Sequence, residues 1–373
     1  MSSSSLSSPA LFRAFPALKT LPWLGLASLP TPLQDGSDAL PGFNFGALHI
    51  KRDDRTHPQY GGNKVRKLSF LLARMQEQGL KHAITFGAAG SNHTLATALC
   101  ANSLGMKSTV ILGPQHNSAH VRENLLSYPS GATLLPADWQ DFSGTAGRCF
   151  HRLWHGEGTP PCIIPAGGSS APGTVGYVDA AFELKEQILE GLLPEPDFIY
   201  MPAGTLGSCV GLALGLLAAG LNSRVMAVSV TAPPFANMKR ARALFQGCLQ
   251  LLRNHDPSFP VFTSDEMPLT LREDYFGEDY ALFTPEGMEA VHIARAALGL
   301  QLEGVYTGKT FAALLGDSSD GRLEGKNILF WNTHGINAQG TAAASKDTQD
   351  WSSLPIPLQK YFTEALQPLD KEG

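Results

Sequence analysis

The sequence predicts an α/β protein with a parallel sheet covered on both faces and a smaller domain inserted into a larger one. Three observations carry this. Short β-branched and apolar runs alternate with segments of helical periodicity, a β-turn-α rhythm that favours parallel strands with helices on both sides. Glycine-rich turns join several of the strands to the helices that follow. The chain is 373 residues long, two to three domains by length, and its composition shifts to small residues at Ala166-Gly167-Gly168-Ser169-Ser170, read as the return from the insertion.

In chain order, residues 1–15 are expected to be a flexible tail. Leu29-Pro30-Thr31-Pro32-Leu33 is an extended entry, because proline pushes its predecessor out of the helical region. Phe45 to Arg52 reads as a strand. Lys67 to Gln78 reads as a helix, with Leu68, Leu71, Leu72 and Met75 at i, i+3, i+4 and i+7 and Gly79 at the C-cap position. Strands follow at His82 to Phe86, Ser108 to Leu112, around Leu134-Leu135, and at Cys162 to Ile164. A helix runs from Gly176 to Leu192, a strand from Asp197 to Met201, and a last strand from Asn327 to Trp331. Thr284-Pro285 opens a helix that ends at Leu298-Gly299. Met238 to Glu273 matches no recognised pattern, and the polar tail after Thr341 reads as a surface wrap or a subunit contact.

Composition excludes some classes. With 16% charged residues and a formal charge of -5, no Lys/Arg-rich run exists to hold a phosphate backbone, so no nucleic acid is expected and small molecules are the better partners. The longest apolar run, Val210 to Leu221, is too short to span a bilayer, so no membrane segment is expected. Five scattered cysteines lack zinc spacing or a disulfide framework, which points to a reducing compartment and no metal. Localisation is read as cytoplasmic. The acid-free, serine-rich first 34 residues leave organelle import open.

Three stretches are site-like. In Gly61-Gly62-Asn63-Lys64-Val65-Arg66-Lys67, a lysine in a glycine turn at a helix N-terminus sits where its pKa falls, as a Schiff-base amine requires. The alternative is a solvated basic turn. Gly87-Ala88-Ala89-Gly90-Ser91-Asn92-His93 gathers free N-H groups with short polar side chains, suiting an anion, or forms a plain N-cap with His93 a surface or core residue. Gly204-Thr205-Leu206-Gly207-Ser208 follows a strand and opens a helix, which makes a phosphate cradle or a structural turn.

Taken with Pro30-Thr31-Pro32-Leu33, Lys51-Arg52-Asp53-Asp54 and Val305-Tyr306-Thr307-Gly308-Lys309, these blocks resemble, in order, the pyridoxal-phosphate enzymes of the tryptophan-synthase-β class (fold type II). Specifically, they resemble the D-cysteine desulfhydrase / 1-aminocyclopropane-1-carboxylate (ACC) deaminase family. The resemblance implies two open, twisted, mostly parallel sheets flanked by helices, with the cofactor pyridoxal 5'-phosphate in the cleft. Residues 16–67 and 175–373 would form the large domain and 68–174 the small inserted one. It implies that Lys64 bonds the cofactor and moves the Cα proton, and that Lys67 and Gly204, Thr205, Leu206, Gly207 and Ser208 hold its phosphate. Asn92 matches the amide on the ring hydroxyl, Ser91 the residue near the substrate carboxylate, and Tyr280 and Tyr306 the substrate-facing tyrosines. Thr307 matches the residue at the pyridine nitrogen, where ACC deaminases have Glu. Thr333 matches a position where desulfhydrases have Thr and ACC deaminases Leu.

Both threonines point to α,β-elimination on a small amino acid, D-cysteine first, and a homodimer is expected by analogy with fold-mates. An ACC deaminase, a lyase for another β-substituted amino acid, and a non-catalytic cofactor-binding protein are the alternatives. Asn332-Thr333-His334-Gly335 departs from the family's His-Thr-Gly-Gly. Arg240, Arg242 and Arg272 either meet an extra substrate carboxylate or are solvated.

Overall fold

The computed structural model describes residues 8–335 and 350–370. Its strands are β1 (Leu33–Asp35), β2 (Ala47–Arg52), β3 (His82–Ala88), β4 (Lys107–Gly113), β5 (Ala132–Pro136), β6 (Cys162–Ile164), β7 (Phe198–Ala203), β8 (Arg224–Ser229), β9 (Leu269–Arg272) and β10 (Asn327–Asn332). The helices that matter most are α1 (Ala10–Ala14), α2 (Lys64–Glu77), α3 (Asn92–Ser103), α4 (Ala119–Leu126), α5 (Phe142–Glu157), α6 (Ala171–Leu189), α7 (Gly207–Ala219), α8 (Met238–His255), α9 (Pro285–Leu298) and α10 (Thr307–Ser319).

The strands form two sheets, one ordered β1-β2-β10-β7-β8-β9 and the other β5-β4-β3-β6. Every pairing is parallel except β1 with β2, as expected when helical crossovers return the chain. All four strands of the smaller sheet come from between β2 and β7 of the larger one. Both its faces are covered: Val110 and Leu112 enter one apolar core, while Ile84 and Ile111 pack with Cys149 of α5 on the other side.

The structure differs from the sequence reading in three places. Residues 8–15 are not a loose tail, because α1 buries Leu11 and Phe12 and the Leu11 N-H donates to Asp179 Oδ1 at 2.9 Å. Residues 1–7 and 336–349 lie outside the described residues, and with them part of the tail after Thr341. The boundaries expected after residues 67 and 174 fall inside α2 and α6. Helix α2 serves two cores at once, Phe70 entering one and Leu68, Leu71, Leu72 and Met75 the other. Finally, the C-terminal helix Ile356–Thr363 packs with the small sheet rather than the large one, burying Leu358 and Tyr361 there.

The unmatched stretch from Met238 to Glu273 contains α8 and β9. Thr284 caps α9 by accepting from the Gly287 N-H at 3.1 Å, and Gly299 closes it at φ 63°, both as predicted.

Candidate active site

Strands β2, β3 and β7 lead into α2, α3 and α7, and α10 begins after the loop that leaves α9. Strand ends and helix N-termini together supply free N-H groups and positive dipole ends, the usual surroundings of an anionic ligand. Direct contacts tie the four termini together. Asn63, capping α2, donates its Nδ2 to Ser208 Oγ of α7 at 3.0 Å and its backbone N-H to the Thr333 carbonyl at 3.3 Å. Tyr60 OH reaches Asn92 Oδ1 of α3 at 3.1 Å, and a Cβ built on Gly204 would lie 3.2 Å from the Tyr306 ring before α10.

Lys64 is the first residue of α2. The turn before it depends on Gly62, whose φ of 101° disfavours a side chain and whose missing Cβ would sit 2.9 Å from the Gly335 backbone. Burial lowers the Lys64 amine to about 8, and among the described residues its Nζ has no hydrogen-bond or ionic partner. The solvated-turn alternative therefore fails.

Lys67, one turn on, donates to the Gly167 carbonyl at 2.9 Å and to Ser169 Oγ at 3.2 Å. Burial, then the nearby Lys64 charge, pushes its pKa well below the usual lysine range. Ser169 Oγ also accepts the Gly207 N-H at 3.1 Å and lies 2.7 Å from Thr205 Oγ1. A Cβ on Gly207 would come within 2.5 Å of Ser169 Oγ and 2.7 Å of Lys67 Nζ, so a side chain there would push both aside. Leu206 holds a left-handed φ of 68°, a strained conformation for a leucine of the kind that gathers at ligand-binding turns. A lysine, two hydroxyls and the first amide of α7 thus converge, groups of the kind that take a phosphate.

Ser91 caps α3. Asn92 Oδ1 is engaged by Tyr60, by His120 Nε2 at 2.7 Å and by Asn124 Nδ2 at 2.9 Å. Tyr280 and Tyr306 place their hydroxyls 2.9 Å apart, and burial raises both phenols so that they stay protonated. Thr307 is fully buried, and its Oγ1 accepts the Glu303 N-H at 3.0 Å while lying 3.2 Å from Glu303 Oε1. The Glu303 carboxylate itself accepts the N-H groups of Val305, Tyr306 and Thr307.

Other candidates fall away. His93 is a core residue bonded to Thr85 Oγ1 at 3.0 Å. Arg272 is spent on Asp274 and Asp317, and Arg242 pairs with Asp265 at 3.3 Å on the surface. Arg240 is half-buried, with its Nε buried and unpartnered among the described residues.

Ser169, Tyr60, His120, Asn124 and Glu303 were not singled out from the sequence. Ser169 sits in a glycine-rich run that read as a domain return. The i, i+4 spacing of His120 and Asn124 puts both on one face of α4, a pattern shared by many surface helices.

An amine for which the described residues supply no partner, one turn of α2 from a lysine and hydroxyls of the kind that take a phosphate, fits the cofactor pyridoxal phosphate. The pattern of the pyridoxal-phosphate dependent enzyme family matches residues 26–334, and the chain belongs to that family. Within it, the chain falls in the D-cysteine desulfhydrase / ACC deaminase group.

It is 33% identical to a D-cysteine desulfhydrase of Klebsiella pneumoniae (strain 342), covering 86% of this chain and 96% of the relative. It is 32% identical to the mitochondrial bifunctional D-cysteine desulfhydrase/1-aminocyclopropane-1-carboxylate deaminase of Arabidopsis thaliana, covering 83% of this chain and 77% of that one. A solved ACC deaminase homologue superposes with a TM-score of 0.73 at 28% identity, over 89% of this chain and 97% of the other. A fungal L-serine ammonia-lyase from Rhizomucor miehei, at 17% identity and a TM-score of 0.58 over 84% of this chain and 95% of the other, shares the fold. The protein is therefore a pyridoxal-phosphate-dependent lyase of fold type II. No helix among the described residues is long and apolar enough to cross a membrane.

Proposed function

We propose that the enzyme eliminates the β-substituent of a small amino acid, with D-cysteine and water giving pyruvate, ammonia and hydrogen sulfide. The observation that carries this is the Lys64 amine, for which the described residues supply no partner and which burial lowers to about 8, together with a threonine, Thr307, where the resembling ACC deaminases carry Glu.

Bound pyridoxal phosphate supplies an electron sink for the pair left when the Cα-H bond of an amino acid breaks. Lys64 would hold the cofactor through its Nζ, and the same nitrogen would take the Cα proton of the substrate. Lys67, Ser169 and the Gly204 to Ser208 turn hold the phosphate, and Asn92 meets the ring hydroxyl. Ser91 and the free N-H groups of the first turn of α3 hold the substrate carboxylate. Tyr306, kept protonated and bonded to Tyr280, gives a proton to the departing sulfur as the Cβ-S bond breaks. The enamine that leaves hydrolyses to pyruvate and ammonia.

By the resemblance, Thr307 would be the residue at the ring nitrogen, a hydroxyl where ACC deaminases carry Glu. The Glu303 carboxylate nearby is held by three backbone amides at the start of α10. A ring left near neutral is sufficient for losing a good leaving group from Cβ, and Thr333 agrees. A homodimer in the cytosol goes with this function by analogy with fold-mates, and its five unpaired cysteines suit a reducing compartment.

The test offers D-cysteine, L-cysteine and ACC in parallel to the purified, cofactor-loaded protein and measures sulfide, keto acid and ammonia. Sulfide with pyruvate from D-cysteine alone is expected. Keto acid and ammonia from ACC with no sulfide from D-cysteine would replace this function with deamination.

A further inference from the structure

One backbone carbonyl fixes the orientation of Asn92. Asn124 Nδ2 lies 2.9 Å from the Gly90 carbonyl, which can only accept, so the amide orientation of Asn124 is settled. The same Nδ2 is 2.9 Å from the Asn92 side chain, which must present its oxygen there. His120 Nε2 is 2.7 Å from that oxygen, too close for two acceptors, so Nε2 carries the hydrogen. The 3.1 Å approach of His120 Nε2 to Asn124 Nδ2 is then a plain contact, because both Asn124 hydrogens are already donated.

Tyr60 OH adds a third donor to the same oxygen at 3.1 Å. A carboxamide oxygen has two lone pairs, which His120 and Asn124 already occupy, and Tyr60 OH shares its hydrogen with the Asn92 backbone carbonyl at 3.3 Å. What remains of Asn92 is its NH2 group, for which the described residues supply no partner. The ring of His334 closes the arrangement from behind, 5.8 Å from that of His120.

We propose that His120 and Asn124 are positioning residues that lock Asn92 as a donor toward the cofactor's ring oxygen. Three donors on one carbonyl also polarise the amide, so its N-H groups bond an anionic oxygen more strongly than a free asparagine would. This rests on the assignment of Asn92 to that oxygen. Removing the His120 N-H takes away the shortest of the bonds that hold this orientation, which weakens the lock and the polarisation of the amide and lets the flipped form, whose oxygen repels the ring oxygen, compete.

The experiment measures pyridoxal-phosphate affinity, the visible absorbance of the bound cofactor at one pH, and the urea unfolding midpoint. It uses the parent protein, His120→Phe, His120→Gln, Asn92→Ala and the double variant Asn92→Ala/His120→Phe. His120→Phe keeps the ring shape without the hydrogen and is expected to weaken cofactor binding about tenfold, as losing one charge-assisted bond does, and to alter the visible band. His120→Gln, which still donates, should stay within about threefold of the parent, and the double variant should bind no worse than Asn92→Ala alone.

Parent-like affinity and spectrum in His120→Phe, with Asn92→Ala impaired, overturns the positioning role and leaves the Asn92 assignment standing. Parent-like behaviour in Asn92→Ala overturns both. Additive losses in the double variant also overturn it. Should His120→Phe not fold, Asn124→Asp replaces it. A carboxylate cannot donate to the Asn92 oxygen, so cofactor affinity must fall, and an unchanged affinity there overturns the positioning role as well.

Discussion

Lys64 and Arg66 stand two residues apart on the same turn of α2 and live in opposite surroundings. The Arg66 guanidinium donates to Asp53, Glu183 and Thr31 through all three of its nitrogens, at 2.8 to 3.0 Å. Around it Tyr177 OH bonds Asp53 at 2.6 Å, and Lys51 bonds Glu183 and the Gln187 side chain. Burial pushes the Glu183 carboxyl up, but Arg66 and Lys51 outweigh it and hold Glu183 far below its usual range. Lys64 has none of this. A buried charge that is fully paired supports the scaffold, whereas a desolvated amine left without a partner is poised for chemistry. The paired network fixes the start of α2 against β2 and α6, and thereby aims the unpaired lysine.

Four measurements would break or sharpen that contrast. Lys64→Ala should lower turnover on the order of 10³-fold or more while leaving the urea midpoint nearly unchanged, because no stabilising bond is lost. Product release at the parent rate would end the assignment.

Arg66→Met should do the reverse in kind, costing about 3–5 kcal/mol of stability by leaving buried Asp53 without its ion-pair partner and Glu183 with Lys51 alone. Urea unfolding reads this directly, and a second change, Glu183→Gln, should cost less in the Arg66→Met background than alone.

Ser169→Ala removes the hydroxyl that joins Lys67 to Gly207. Its expected cost is about tenfold in pyridoxal-phosphate affinity, consistent with one hydrogen bond to a charged group, with little change in fold stability. Titration of the cofactor by fluorescence checks it, and an unchanged affinity would remove Ser169 from the cradle.

The smallest effect is one of pH. Burial lowers the Lys64 amine, so its reactive neutral form grows as pH rises to about 8 and levels off above it. Cofactor uptake by the cofactor-free protein should follow that curve, with roughly a tenth of the limiting rate at pH 7. A rate still climbing steeply at pH 10 would mean an ordinary lysine.

Much of the fold was legible because it rests on local pattern. The i, i+3, i+4 leucines of α2, the Thr284-Pro285 start of α9 and the short apolar strands declare themselves within a few residues. So do the glycine turns at Lys64 and Gly204, where the Gly335 backbone and the Tyr306 ring approach closely. Tail and boundaries were less legible. Nothing local in Ala10–Ala14 says that Leu11 will be buried under α6, and α2 carries one continuous helical pattern across the expected domain boundary.

The sequence by itself determined the α/β class, the order of the glycine-turn motifs and the lysine that fits the cofactor, all properties of neighbouring residues. Only the tertiary structure decided which groups share the cleft. Ser169 reaches Gly207 from 38 residues away, and Asn92 takes its direction from α4. It also decided that Arg66 is paired and Lys64 is not, because pairing depends on Asp53 and Glu183, which only the packing of β2 and α6 brings to α2.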